Sequence, residues 1–240
     1  MIRFVDQTGS TNADLLALGP DAREGDWLVA RRQSAGRGRA GRAWEDGAGN
    51  FMGSTVVALR PGGPPAQMLA LVTGLAAWEA VAAFAPGMEA RLKWPNDLLV
   101  GGAKLAGILL ERAGDIVVIG IGVNLARAPR VDGRATTALA ELGATIAPDD
   151  FAETLADRFA AHLAAWRDGD WSRQREAWLL RAHPEGTPLE VRDCDGLRIK
   201  GNFAGLGADG AALLRLADGT TRPIHAGDVE LVGDGDAARG

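Results

Sequence analysis

Apolar and polar positions along the chain follow two rhythms. Residues 66–84 carry apolar side chains at helical spacing, with Leu69, Val72, Leu75 and Ala76 on one side, which predicts a helix. Its apolar part, 68–84, is the longest in the chain but is broken by Thr73, Gly74 and Glu79. It therefore reads as a buried helix, and no membrane span is expected. Shorter apolar runs of strand length lie at 2–5, 27–30, 51–59, 91–93, 97–100, 103–111 and 115–123. The runs 97–100 and 103–111 flank Gly101-Gly102, which predicts a hairpin on a two-glycine turn. Thr11, with Asp14 three residues on, resembles a capping box opening a helix that reaches Leu18. Asp149 or Asp150 is expected to cap a helix running through Trp166, and a further helix is expected over 171–181. Strands joined by tight turns, with flanking helices, predict an α+β domain around a mixed, mainly antiparallel sheet.

The texture changes after Pro184-Glu185-Gly186. Runs at 189–192, 197–203, 211–216, 220–224 and 229–232 are punctuated by Asp195-Gly196, Asp209-Gly210 and Asp218-Gly219. That spacing is the rhythm of a small β-barrel. The expected division is a large domain over 1–184, a small one over 185–233, and a polar tail over 234–240.

Charge narrows the choice of ligand. The net charge of -5 and pI near 5.3 argue against a general nucleic-acid binder, so any basic cluster is local and suits a small anion. Cys194 is the lone cysteine, which excludes an internal disulfide and fits a reducing compartment; it reads as a packed barrel residue, not a nucleophile. The first residues lack the apolar segment of a secretory signal, so a cytoplasmic location is expected.

The richest chemistry lies in residues 36–44, Gly-Arg-Gly-Arg-Ala-Gly-Arg-Ala-Trp. Glycines let backbone approach a ligand closely, and arginine forks suit phosphate or carboxylate. Such a loop can close over a polyphosphate, with Trp44 offering a flat face. By itself it implies anion binding without naming the anion, and a solvated basic loop or a short RNA contact is the plainer reading. It matches neither phosphate-binding pattern built on GxxxxGK[ST] or GxGxxG. A second cluster, Lys93-Trp94-Pro95-Asn96-Asp97, precedes the hairpin, and Lys104 follows its turn. Gly107 inside a strand marks a bulge or a close approach by another group, and Gly120-Ile121-Gly122-Val123-Asn124 repeats the theme.

Taken in order, Ser10-Thr11-Asn12, the 36–44 loop, Lys93 to Asp97, Lys104 to Glu111 and Gly120 to Asn124 resemble the bacterial biotin protein ligases, and the β-rich C-terminal segment is similar to that family's SH3-like domain. The resemblance implies a class II synthetase-like, biotin–lipoyl ligase fold followed by the SH3-like barrel. It implies that biotin is activated by Mg-ATP to biotinyl-5′-AMP and passed to a lysine of a biotin carboxyl carrier protein, such as that of acetyl-CoA carboxylase. Ser10, Thr11 and Asn12 would line the biotin pocket, Gln33 would meet biotin near its carboxylate end, and Gly107 would lie against it. Arg37, Gly38 and Arg39 would wrap the acyl-phosphate region. Arg39 and Lys104 would be catalytic, Lys104 bridging the biotin carboxylate and the α-phosphate. Arg42, Trp44, Lys93, Asn96, Asp97 and Asn124 would serve the nucleotide, with Asp97 acting on Mg²⁺ indirectly or orienting a lysine. No metal ligand is firmly assigned. Some relatives carry an N-terminal DNA-binding repressor module; here the motifs begin within the first dozen residues, so no DNA partner is expected, and a homodimer is plausible. The competing expectations are a lipoate or octanoate protein ligase and a non-enzymatic nucleic-acid-binding module.

Overall fold

The computed structural model describes residues 1–45, 47–192 and 196–232. Cys194, the Asp195-Gly196 turn as a whole and the tail over 234–240 lie outside the described residues. The strand-length runs assemble as β1 (Ile2–Val5), β2 (Trp27–Ala30), β3 (Phe51–Ala58), β4 (Ala90–Lys93), β5 (Asp97–Val100), β6 (Ala103–Ala113) and β7 (Ile116–Val123). They form one sheet in the order β1-β2-β3-β7-β6-β5-β4. Only β1 and β2 pair in parallel; every other neighbour is antiparallel. The β5–β6 hairpin turns on Gly101 and Gly102, both at positive φ, as a two-residue turn between twisted strands requires.

Side chains alternate across this sheet. Val56 of β3 and Val118 of β7 face helix α1 (Thr11–Ala17) and pack with its Leu15. Val57, Val117, Ile119 and Ile121 face the main core. There α2 (Leu69–Phe84) packs against the sheet and against α3 (Pro148–Arg167) and α4 (Trp171–Arg181). Being covered by sheet and helices, α2 buries Thr73 and Gly74 as well as its apolar residues. Residues 66–84 are the one stretch among the described residues long and apolar enough to cross a membrane, and they form mostly buried core.

Two helix starts differ from expectation. The cap of α1 is Ser10, whose Oγ accepts from the Ala13 N–H at 3.4 Å; Thr11 is already helical, and Thr8, not Thr11, reaches Asp14, at 2.5 Å. The one-residue shift releases the Thr11 side chain for other contacts. In α3 the first residue is Pro148 and the cap position is Ala147, with no side-chain cap. Asp149 instead pairs with Arg31 at 3.0 Å.

The C-terminal strands β8 (Pro188–Arg192), β9 (Arg198–Leu206), β10 (Ala212–Arg215), β11 (Thr221–Ile224) and β12 (Asp228–Leu231) form a separate antiparallel sheet in the order β11-β10-β9-β8-β12. This is the expected SH3-like element. Its inner residues Val191, Phe203, Leu214 and Val229 join the core that holds Trp178 and Leu92. The Trp94 indole donates to the Gly210 carbonyl at 3.1 Å, tying the 93–97 segment to a barrel turn.

At the far end of the sheet, Arg167 at the end of α3 pairs with Glu24, which also accepts from the Ala58 N–H at 2.8 Å. The Arg167 hydrogen bond is the main reason the Glu24 carboxyl sits below its usual range. A depressed carboxyl pKa contributes stability that is present above the unfolded value and lost as pH falls through the folded one. We expect Glu24→Gln to lower stability by about 0.5–1 kcal/mol at neutral pH, a small figure because the pair is partly solvated. The difference from wild type should vanish as pH falls below the carboxylate range, as measured by urea unfolding.

Candidate active site

A cavity of about 500 Å³ opens on the α1 face of the large sheet. Its walls come from the start of α1, the 36–45 loop, the 93–97 turn, the near ends of β6 and β7, a loop over 129–136, and the start of β12. Ser10, Thr11, Asn12, Gln33, Arg37, Gly38, Arg39, Arg42, Trp44, Lys93, Asn96, Asp97, Lys104, Gly107 and Asn124 all line it. Residues spread over more than a hundred positions thus share one space.

One part of the cavity is built from neutral polar groups backed by an Arg37–Glu111 ion pair. Gln33 Oε1 accepts from the Thr11 N–H at 2.8 Å and lies 3.1 Å from the Thr11 hydroxyl oxygen. Thr11 Oγ1 lies 2.6 Å from Ser54 Oγ, and Ser54 donates to Asn12 Oδ1 at 2.5 Å. Asn12 Nδ2 donates to Glu111 at 2.8 Å, and Glu111 accepts from Arg37 at 2.9 Å. Thr11, Asn12 and Ser54 are all buried. Buried polar atoms with fixed partners hold their orientation, the requirement for reading the shape of a small polar ring. Gly120 is where Asn12 enters, for a Cβ there would overlap the Asn12 amide. Gln33 belongs with Thr11 in this network.

The other part is cationic. Asp97 accepts from Lys104 Nζ at 2.5 Å, with Lys93 Nζ and an Arg134 nitrogen each 3.9 Å from its other oxygen. One carboxylate therefore faces three cations, a local excess of positive charge. Burial is the largest influence on both lysines and pushes each below the usual lysine range, against the opposing pull of Asp97. Neighbouring cations push the same way, Arg134 on both and Arg42 on Lys104. Asp97 thus holds the Lys104 ammonium in place within the cavity.

Between these parts lies a flat platform. Gly107 and Gly122 are register partners on β6 and β7. The Trp44 ring rests on them: a Cβ at Gly122 would run into the indole, and one at Gly107 would come within 3.1 Å of it. The glycine at 107 thus serves a close approach, while the bulge in this hairpin falls two residues earlier, at Leu105, the extra residue opposite Leu98 and Leu99. Lys104 Nζ stands 5.8 Å from the centroid of the Trp44 ring. Asn124 donates to the carbonyls of Thr137 at 3.1 Å and Lys104 at 3.4 Å, leaving its buried Oδ1 without a protein partner.

The arginine-glycine loop is folded back on itself. Arg37 and Ala43 form a bridge, and a short turn at Arg39–Gly41 places Ala40 at positive φ. Arg39 donates to Asn96 Oδ1 at 2.9 Å and to the Gly227 carbonyl at 3.2 Å, and Arg42 donates to Asp228 at 2.8 Å. The loop is therefore latched to both the 93–97 turn and the barrel.

Four contributors lay outside the expectations. Ser54 had a signal: it and Thr55 are the two hydroxyls in the strand run Phe51–Ala58, and alternation puts them on opposite faces. Glu111 reads from sequence as an ordinary strand-end charge. Arg134 and Asp228 come from a loop and a distant strand with no local pattern to mark them. Among the described residues no three His, Cys, Asp or Glu side chains gather as a metal site, and Asp97 already faces Lys104, Lys93 and Arg134.

A neutral polar pocket beside a cationic one, bridged by an aromatic platform, can hold a small polar molecule and a nucleotide end to end. A model of the biotin/lipoate A/B protein ligase family matches residues 3–124, and one of the biotin protein ligase C-terminal domain matches residues 190–232. The chain is 40% identical over 221 residues to the biotin–[acetyl-CoA-carboxylase] ligase of Paracoccus denitrificans, spanning 87% of this chain and 92% of that protein. It is 37% identical over 236 residues to the ligase of the same name from Mycobacterium tuberculosis, spanning 94% and 86%. In fold it is similar to a biotin protein ligase from Aquifex aeolicus solved in complex with biotin and ATP, with a TM-score of 0.86, 24% identity, and coverage of 96% of this chain and 99% of that one.

Proposed function

We propose a residue-by-residue mechanism for a chain that belongs to the biotin protein ligase family. It is an ATP-dependent ligase that activates biotin and transfers it to protein. The large domain, 1–184, carries the chemistry, and the barrel, 185–233, closes one side of the site. Ser10, Thr11, Asn12 and Gln33 hold the ureido ring. That moves Gln33 from the carboxylate end to the ring end, in keeping with its bond to the Thr11 N–H. The biotin carboxylate then points toward Lys104. Trp44 supports the adenine, and the unpartnered Oδ1 of Asn124 accepts from its exocyclic amine. Arg42, Lys93 and Arg134 attract the phosphates, with Asn96 positioning Arg39.

The carboxylate oxygen attacks the α-phosphorus and pyrophosphate leaves. Two anions must meet, so fixed positive charge at their junction lowers the barrier more than any other group here. Lys104 and Arg39 provide it. Mg²⁺ belongs to the substrate in this scheme, arriving on the ATP phosphates and shielding the leaving group. Arg37 and Gly38 close over the mixed anhydride and keep water from it. The acceptor is a lysine of a biotin carboxyl carrier protein in the cytoplasm.

The observation that carries this reading is that Thr11 and Asn12, backed by Ser54, line one cavity with the Lys93–Asp97–Lys104–Arg134 cluster. Mass spectrometry of a carrier domain incubated with the protein, biotin and Mg-ATP should find one lysine biotinylated, with no comparable product from lipoate. An unmodified domain, or modification with lipoate alone, would overturn the reading. Within it, Ser54→Ala removes the shared hydroxyl between Thr11 and Asn12. We expect the KM for biotin to rise about tenfold, equivalent to about 1–1.5 kcal/mol for a buried neutral hydrogen bond, with the KM for ATP unchanged in steady-state assays.

A further inference from the structure

A second cavity, of about 160 Å³, lies beside the first. Arg39, Pro95, Asn96 and Ile108 line both. The Arg39–Asn96 hydrogen bond, 2.9 Å, is thus part of the partition between them. The inner wall of the second cavity is apolar, with Leu71, Ile108 and Leu110. At its rim stands His225, in the loop between β11 and β12. The imidazole Nδ1 is 3.3 Å from Asp209 Oδ2, and the other Asp209 oxygen accepts from the Ala211 N–H at 3.1 Å. This turn is held by the bond from Trp94 to Gly210. The same 93–97 segment therefore aims Lys93 and Asp97 into the first cavity and anchors the His225–Asp209 pair at the second.

Activation fills the first cavity with biotin and nucleotide, and the second substrate, an amine on a protein, still has to reach the acyl carbon. We infer that the acceptor lysine enters through the second cavity and gives a proton to His225, a step that rests on the ligase reading above. The methylene stem of lysine fits the Leu71–Ile108–Leu110 wall. When Nδ1–H of neutral His225 faces Asp209, Nε2 is left as the proton acceptor. A lysine is mostly protonated at neutral pH and must lose a proton before it can attack. The ammonium passes one proton to Nε2. The nitrogen lone pair then forms the bond to the acyl carbon, the bond from that carbon to the phosphate oxygen breaks, and AMP leaves with the electron pair. The second nitrogen proton goes to water at the open mouth. Asn96 and Ile108 hold each other through two hydrogen bonds, of 2.8 and 3.0 Å, so the member of the partition that moves is Arg39; its swing toward the acyl phosphate frees the gap beside them, so that charge neutralisation and acceptor entry use one guanidinium.

The test separates the half-reactions in the full chain. Biotin-dependent exchange of pyrophosphate into ATP reports activation; transfer from synthetic biotinyl-5′-AMP to a purified carrier domain reports the second step. In His225→Asn the ratio of transfer to exchange should fall on the order of 100-fold. With hydroxylamine as acceptor, which is neutral without help from a base, that ratio should hold at the wild-type value. Gln67→Trp and Ala226→Trp, which narrow the rim from opposite sides, should lower the ratio for the carrier domain at least tenfold. A wild-type ratio in all three variants, or an equal loss with hydroxylamine in His225→Asn, overturns the inference. Absence of biotin-dependent exchange in the wild type would instead refute the ligase reading beneath it.

Discussion

Replacing Lys104 with alanine should lower biotin-dependent exchange of pyrophosphate into ATP by roughly two to three orders of magnitude, the scale seen when one fixed electrostatic contact to a reacting centre is removed. The fold should survive. Lys104 lies near the open cavity, and its removal leaves Asp97 still facing Lys93 and Arg134. The thermal unfolding midpoint should therefore stay within a few degrees, for a change of about 1 kcal/mol in a chain of this size. The pH profile gives a second reading of the same residue. Burial holds the lysine below its ordinary range, so its cation is complete at low pH and lost as pH rises through that lowered value. Exchange should decline on the alkaline side earlier than an ordinary lysine would allow. Stability runs the other way: the unfolded chain holds this proton more tightly, so folding gains as pH rises between the folded and unfolded values. In Lys104→Arg the alkaline decline should flatten, because arginine stays charged, although the rate is expected to remain low because the planar fork does not match the single 2.5 Å contact with Asp97.

Gly122→Val should be the more instructive loss. Gly122 lies in a strand and is not among the glycines at positive φ. Its backbone admits any residue, and valine suits a strand. What a side chain does there is collide with Trp44. The indole would leave the platform, and the loop that carries Arg37, Arg39 and Arg42 would move with it. We expect exchange to fall about ten- to a hundredfold, because a misplacement of about 1 Å in positioning groups has that cost, with denaturant stability close to wild type. An active variant with unchanged KM for ATP would show that Trp44 does not support the nucleotide.

Local signals carried much of this architecture into view beforehand. The two-glycine hairpin, the apolar helix over 66–84, the barrel rhythm, and both basic motifs depend on neighbours within a few positions, which a sequence displays directly. The misplaced features depend on something else. Ser10 and Thr11 are both good caps with the same acidic residue close behind, so a one-residue choice is decided by packing. Pro148 takes the first helical position and leaves Ala147 as the cap, so Asp149 is free to pair with Arg31 across the fold. The bridge that Glu111 makes between Asn12 and Arg37 and the arrival of Arg134 and Asp228 are products of tertiary assembly. The need for glycine at 107 and 122 was visible as close approach, but the approaching group was not.

The central claim is that guanidinium and ammonium groups from the loop and the hairpin converge where biotin joins the nucleotide. A crystal structure of the chain with a non-hydrolysable biotinyl-adenylate analogue tests it most directly. The expected result has Lys104 Nζ and the Arg39 guanidinium both within hydrogen-bonding distance of the linker between acyl group and ribose, with the ureido ring at Thr11 and Gln33. A bound analogue whose linker faces solvent, with Lys104 still engaged only by Asp97 and Arg39 still bound to Asn96 and Gly227, would contradict it.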